Sequence, residues 1–246
     1  MFVDIHQHLV FDMDDGARSF EESKNMICLA YEQGVSHIIA TPHCIPGVQE
    51  FHMERFKKNL QLINDWCREQ KKPVSVHMGA EVYYTPHTVQ WLTDGRVPTL
   101  ASSNYILIEF SSNASYDEIV RASRKMTNAG YLPVLAHVER YRYLRNKKHL
   151  ARLKEDYPVL IQMNADTFLR RNTIFEENWL RQVLEMELVD IVASDAHNTT
   201  NRLCQMSKCH SYFMKKYGQR VADQLHYGTG KHIILSCTSE DIITHV

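Results

Sequence analysis

Short runs of β-branched and aliphatic residues alternate along the whole chain with longer stretches in which apolar residues recur every three or four positions. The runs at 2–6, 36–40, 74–78, 105–109, 132–136, 159–163 and 189–193 predict seven strands. Most are continuously apolar, as strands of a parallel sheet covered on both faces require. The intervening stretches predict helices. Ser19-Phe20-Glu21-Glu22 has the form of a capping box, followed by Met26, Ile27, Leu29 and Ala30 at helical spacing and a stop at Gly34. Further helices are expected over 54–70, 117–129 with Gly130 as its stop, 176–186 and 201–217. Neither a repeat nor a low-complexity linker breaks this rhythm, so an α/β fold built as one domain over 1–246 is expected.

The polar residues choose between an open sheet and a closed barrel. All but one of the predicted strands end in imidazoles or carboxylates: His6 and His8, His43, Glu81, Glu109, His137, and Asp195 with His197. Asn164 follows the exception. A closed parallel barrel brings the C-terminal ends of its strands to one face, whereas an open sheet would spread these groups along a line. His6 and His8 share one side of a strand by its period of two, with Asp4 as a candidate supporting partner. Ser194-Asp195-Ala196-His197 repeats the spacing after the last strand, where a buried charge needs compensation. Asp14-Asp15-Gly16 reads on its own as a turn, yet it follows His8 closely enough for one carboxylate to reach the same cluster. A mixed imidazole and carboxylate set larger than one ion can use implies two or three metals, and suits Mn, Fe or Zn better than Ca or Mg.

Bulk properties then remove other classes. The 28 Lys and Arg residues balance 29 Asp and Glu, so the net charge of -1 offers no general attraction to nucleic acid or an anionic membrane. No apolar stretch has the length of a membrane span or a secretion signal, and the six cysteines have no disulfide-framework spacing; a cytoplasmic protein with reduced thiols is expected. A cysteine-nucleophile phosphatase is excluded, because no cysteine has an arginine six positions later. Cys44 is expected to pack or to line the pocket wall.

Asp-Ile-His6-Gln-His8, the Asp-Asp-Gly loop, Ala-Thr-Pro-His43, Gly-Ala-Glu81, Ile-Glu109-Phe, Ala-His137-Val-Glu-Arg140 and Ala-Ser-Asp195-Ala-His197-Asn resemble the polymerase and histidinol phosphatase (PHP) superfamily. Within it, they look most like the bacterial tyrosine-protein phosphatases that regulate capsule and exopolysaccharide synthesis. The resemblance implies a distorted (β/α)7 TIM-like barrel with three divalent metals at its mouth, Mn foremost. It implies that His6, His8, Glu81 and Asp195 hold one metal, Glu81, Glu109 and His137 a second, and Asp15, His43 and His197 the third. Arg140 and Arg202 would clamp phosphate, with Arg18 as a third candidate, and Asp195 and His43 would also act in catalysis. A metal-bridging hydroxide would attack phosphorus in line, and the tyrosine phenol is a good enough leaving group to need little help from a general acid. The implied partner is an autophosphorylated bacterial tyrosine kinase, with no nucleic acid and no membrane insertion. The alternatives are another phosphatase or nuclease on the same scaffold, such as one for histidinol phosphate, an amidohydrolase, and a non-catalytic binding domain. The remaining histidines, His37, His52, His77, His87, His149, His210, His226, His232 and His245, are expected to be structural or at the surface.

Overall fold

A computed structural model describes residues 1–237; His245 lies outside them. Among the described residues the strands are β1 (Phe2–Gln7), β2 (Val35–Ala40), β3 (His43–Cys44), β4 (Ser75–Met78), β5 (Glu81–Tyr83), β6 (Tyr105–Glu109), β7 (Leu132–Leu135), β8 (Leu160–Asn164) and β9 (Ile191–Ala193). They form two parallel sheets, ordered β1-β2-β4 and β3-β5-β6-β7-β8-β9. The circuit closes where the chain after β9 meets β1: Asp195 N–H donates to His6 O at 2.9 Å and His8 N–H to Ala196 O at 2.8 Å. The result is the distorted TIM-like barrel that the family resemblance implies and that the polar strand ends favour over an open sheet.

All seven predicted strands are present, and two more are short continuations. β2 breaks at Thr41-Pro42 before β3, and β4 breaks at Gly79-Ala80 before β5. Pro42 has no N–H to give to a ladder. Gly79 leaves no room for a side chain, since a Cβ there would stand 2.7 Å from Ile39 Cγ2. These breaks redirect the chain just before His43 and Glu81.

The helices are α1 (Phe20–Glu32), α2 (Met53–Glu69), α3 (Thr88–Thr93), α4 (Tyr116–Asn128), α5 (Lys147–Asp156), α6 (Ala165–Leu169), α7 (Ile174–Glu185), α8 (Met206–Tyr217), α9 (Gln219–Asp223) and α10 (Thr229–Leu235). Ser19 accepts from Glu22 N–H as expected, but the Glu22 carboxylate reaches Arg18 N–H, so the box at α1 is only half formed. A complete box opens α7 at Thr173 and Glu176. The helix expected from 201 starts at Met206. Asn198 Oδ1 accepts the N–H groups of Thr200, Asn201 and Arg202, which holds this stretch as a loop instead. No described helix is long and apolar enough to cross a membrane.

One apolar cluster takes Tyr105 and Leu107 of β6, Val134 and Ala136 around the end of β7, and Ile191 and Ala193 of β9. Continuing these alternations by two residues leads to Glu109 and Asp195. The faces that build this core at depth therefore present carboxylates at the strand ends.

Candidate metal centre

His6 and His8 leave the end of β1 with their Nε2 atoms 3.2 Å apart. Facing them are Glu81 Oε2, at 3.2 and 3.3 Å, and Asp195 Oδ1, at 3.4 and 3.5 Å. All four residues are buried. His43, at the start of β3, puts Nδ1 3.1 Å from Glu81 Oε2 and Nε2 3.5 Å from Asp15 Oδ1. His197 Nε2 approaches the same Asp15 oxygen at 3.4 Å, while its ring stacks on His8 with 3.8 Å between centroids. His137 Nε2 is 2.7 Å from Glu81 Oε1 and 3.6 Å from Glu109 Oε1. The nine metal-type residues named from sequence thus converge on one region, with Glu81 at its middle.

Their donor atoms form three overlapping groups: His6, His8, Glu81 and Asp195; His8, Asp15, His43 and His197; and His43, Glu81 and Glu109. The grouping differs from the expected one by adding His8 to the set of Asp15, His43 and His197, and by joining His43 to Glu81 and Glu109 while His137, 3.6 Å from Glu109 Oε1, falls in none of the three. Two tests show that these residues suit divalent metals. Four donors about 2.1 Å from a shared ion in a tetrahedron are about 3.4 Å apart, which the first group matches. Furthermore, Glu81 Oε2 and His197 Nε2 are buried without a hydrogen-bond partner, a cost that a cation removes.

Electrostatics agree. Burial alone would push His6 and His8 down, but the Glu81 and Asp195 carboxylates beside His6, and Asp14 and Glu81 beside His8, raise both to about 9. Burial works against ionised Asp195 too, yet His6, His8 and Arg140 hold its carboxyl well below the usual range. Glu109 is raised to about 7 by burial and by its neighbour Glu81. His137 and Asp195 both adopt positive φ, at 34° and 52°, a backbone strain that concentrates at working sites.

The supporting residues were less legible in the sequence. Asp15 faces His43 and His197, while Asp14 turns inward: its Oδ2 accepts from His8 Nδ1 at 2.6 Å and from His43 N–H at 2.9 Å. Burial alone would raise Asp14, but the bond and charge of His8, with the N–H groups of His43 and Gly16, together hold it at about 2. Gly16 lets this loop fold back, as a Cβ would stand 2.0 Å from His8 O. Asp4, expected beside the rings, instead accepts from Ser194 N–H and from the Gln7 amide. The β1–β2 register shifts between Asp4 and Gln7, so strict alternation does not hold there. Gln162 takes the expected place of Asp4, with Oε1 3.2 Å from His6 Nδ1 and accepting His137 N–H at 2.9 Å. Its amide donates to Asn164 Oδ1, and Asn164 in turn donates to Asp195 Oδ2. Two buried amides at i and i+2 in an otherwise apolar strand were the available signal.

Arg140 and Arg202 both reach Asp195, donating to Oδ2 at 2.7 Å and Oδ1 at 2.9 Å. Their side chains are 45% and 41% exposed, so each guanidinium faces both the cluster and solvent. Arg18 is exposed, and its backbone N–H is bonded to Glu22. Cys44 is buried in β3, and burial pushes its thiol up to about 12, which disfavours the thiolate a nucleophile needs.

Comparison with known proteins agrees with this picture. CpsB of Streptococcus pneumoniae, a tyrosine-protein phosphatase, is 35% identical over 95% of this chain and 98% of its own. A chain from the crystal structures of YwqE from Bacillus subtilis and CpsB from S. pneumoniae, metal-dependent tyrosine phosphatases, superposes with a TM-score of 0.85. It covers 96% of this chain and 95% of its own at 28% identity. The histidinol phosphate phosphatase of Lactococcus lactis superposes at 0.57 over 89% of this chain and 94% of its own, with 12% identity, and shares the fold alone. The family model for capsular polysaccharide synthesis, CpsB/CapC, matches residues 2–235, and the chain belongs to this family.

Proposed function

We propose that this chain is a metal-dependent protein-tyrosine phosphatase working as one domain, with His6, His8, Asp15, His43, Glu81, Glu109, His137, Asp195 and His197 as its metal ligands. The observation that carries this reading is the pair of arginines fixed on Asp195 at the edge of a buried imidazole–carboxylate cluster. We assign three divalent ions, with Glu81 common to two of the three ligand sets, and manganese as the ion in the cell, with iron or zinc also suited to the donor set. When bound, such metals supply a nucleophile from water at neutral pH and neutralise charge on the transferring phosphoryl group. Arg140 and Arg202 bind peripheral phosphate oxygens through charge-assisted hydrogen bonds. Asp14 and Gln162 fix the tautomers of His8 and His6, so that Nε2 of each ring is the free donor. Asp195 and His43 position the reacting groups.

The substrate we assign is a phosphotyrosine protein, with an autophosphorylated bacterial tyrosine kinase of capsule synthesis as the partner. The family description and the names of the relatives support it. The spacing of the cysteines, without a disulfide framework, supports action in the cytoplasm. The test is a substrate panel with purified protein at controlled metal content: phosphotyrosine peptides, histidinol phosphate and oligonucleotides. Preference for the peptides, abolished by chelator and restored by Mn, is expected. Preference for histidinol phosphate overturns the substrate assignment, and binding without turnover in every metal overturns catalysis.

A further inference from the structure

Three clefts run in series away from the cluster. The first lies beside Asp195 and is lined by Arg140, Arg202, Asn164 and Asp166. The second, of about 200 Å³, shares Arg140, Asn164 and Asp166 with it and adds Arg145 and Arg170. The third, of about 440 Å³, shares Arg145 and Arg170 with the second and ends on Phe175, Trp179 and Leu180. A phosphate held at Arg140 therefore opens onto a segment in which Arg140, Arg145 and Arg170 outnumber Glu139 and Asp166, and then onto an apolar end.

Arg145 and Arg170 have donors to spare. Their Nε–H groups donate to Glu139 O and Asn172 Oδ1, but their Nη2 atoms approach Glu176 Oε1 only at 3.8 and 3.9 Å, outside hydrogen-bond range. Glu176 is itself committed, its other oxygen capping α7 through Thr173. At the apolar end, Ile174 and Phe175 are 83% and 87% exposed, two adjacent large side chains with nothing over them. Two buried polar atoms of cleft-lining residues, Glu139 Oε2 and Trp179 Nε1, have no hydrogen-bond partner.

We infer that this series of clefts is a peptide groove for the segment flanking the phosphotyrosine. An acidic side chain lies at Arg145 and Arg170, and a large apolar side chain lies against Phe175, Trp179 and Leu180. The inference rests on the phosphatase reading above, since the groove begins at the arginine assigned to phosphate. Arginine pairs select carboxylates by charge and fork geometry, and aromatic anchors supply most of the binding in such grooves. Asp166, at the junction of the first two clefts, disfavours an acidic residue directly beside the phosphotyrosine.

The test uses metal-loaded protein and two fluorescent peptides, each carrying the non-hydrolysable phosphonomethyl-phenylalanine. One has Glu and Leu in its flanks, and the other has Ser and Gly. Anisotropy titration should show the first binding at least about tenfold more tightly, and Arg145→Gln with Arg170→Gln, or Phe175→Ser, should erase that difference. Equal Kd values for the two peptides, or a difference that survives both variants, overturns the groove. Hydrolysis of p-nitrophenyl phosphate, which has no flank, is measured in parallel on wild-type protein. Its absence alongside a persisting peptide preference sinks the phosphatase reading and leaves the groove standing; its presence without a preference does the reverse.

Discussion

His8 Nδ1 donates to Asp14 Oδ2 across 2.6 Å, and the same oxygen also accepts the backbone N–H of His43. One carboxylate outside the donor groups thus fixes the ring that follows β1 and the start of β3. Asp14→Asn keeps the size but removes the charge and sets the amide NH2 either against His8 and His43 or against Gly16 N–H, which donates to the other carboxylate oxygen. Metal affinity is expected to fall about 10- to 100-fold, the usual cost of losing a partner to a ligand histidine. Isothermal titration with Mn measures it, and an unchanged affinity would show that the bond is incidental.

His6 and Asp195 are both buried members of the first donor group. His6→Ala and Asp195→Ala should each remove at least one equivalent of metal, read by elemental analysis, and nearly all turnover on phosphotyrosine peptide. Circular dichroism should show the folded barrel retained. Wild-type metal content and turnover in both would refute the cluster. Chelation of the wild-type protein should lower its Tm, because a site loaded at 100 times its Kd contributes about 2.7 kcal/mol.

Gln162 serves two sides of the site at once, facing His6 Nδ1 and accepting His137 N–H. Gln162→Leu leaves that buried N–H without a partner, which costs about 1–3 kcal/mol. For a chain of this length the Tm should drop by roughly 2–4 °C per kcal/mol. Differential scanning calorimetry decides it; a Tm within 1 °C of wild type (roughly the size of a surface substitution) would count against the bridging role.

His226 is completely buried against the rings of Phe2, His210 and Phe213, with Nδ1 on Ala222 O and Nε2 unpartnered. Burial pushes it down to about 4. The unfolded chain takes up this proton near pH 6.5 and the folded one only near 4, so stability is complete above about 6.5 and lost as pH falls between the two. The loss amounts to about 3 kcal/mol at most. His226→Gln should flatten the fall in Tm between pH 7 and pH 4.5, whatever it does to Tm at pH 7. Parallel profiles for the two proteins would argue that His226 does not titrate this way.

Most of the barrel and much of the site could be read from residues at strand ends, because parallel strands that close on themselves leave little choice about where His6, Glu109 or Asp195 can lie. What escaped was of two kinds. Gln162 is a neutral amide, invisible to a search for metal-type side chains, and Asn164 is visible at its strand end but without a role; their burial in β8 shows what they do. The β3 and β5 segments, the late start of α8 and the turn of Asp14 depend on local breaks at Pro42 and Gly79, on Asn198 and on Gly16, whose effect is set by neighbours distant in sequence. The Asp4 position shows the same limit: period two placed it beside His6, and a register shift took it elsewhere.

The closure at Asp195 and His6 has a bearing on how this protein is made. The first donor group joins the start of the chain to residues nearly 190 positions later, and Ser194 N–H on Asp4 Oδ1 spans 190. Bringing ends that far apart together carries an entropy penalty of about 5 kcal/mol in the chain-length term alone. During synthesis, the N-terminal imidazoles therefore wait, without their Asp195 partner, until the last strand has emerged from the ribosome. A chain that stops before Asp195 lacks a complete first donor group, so this set of donors exists only once the circuit can close.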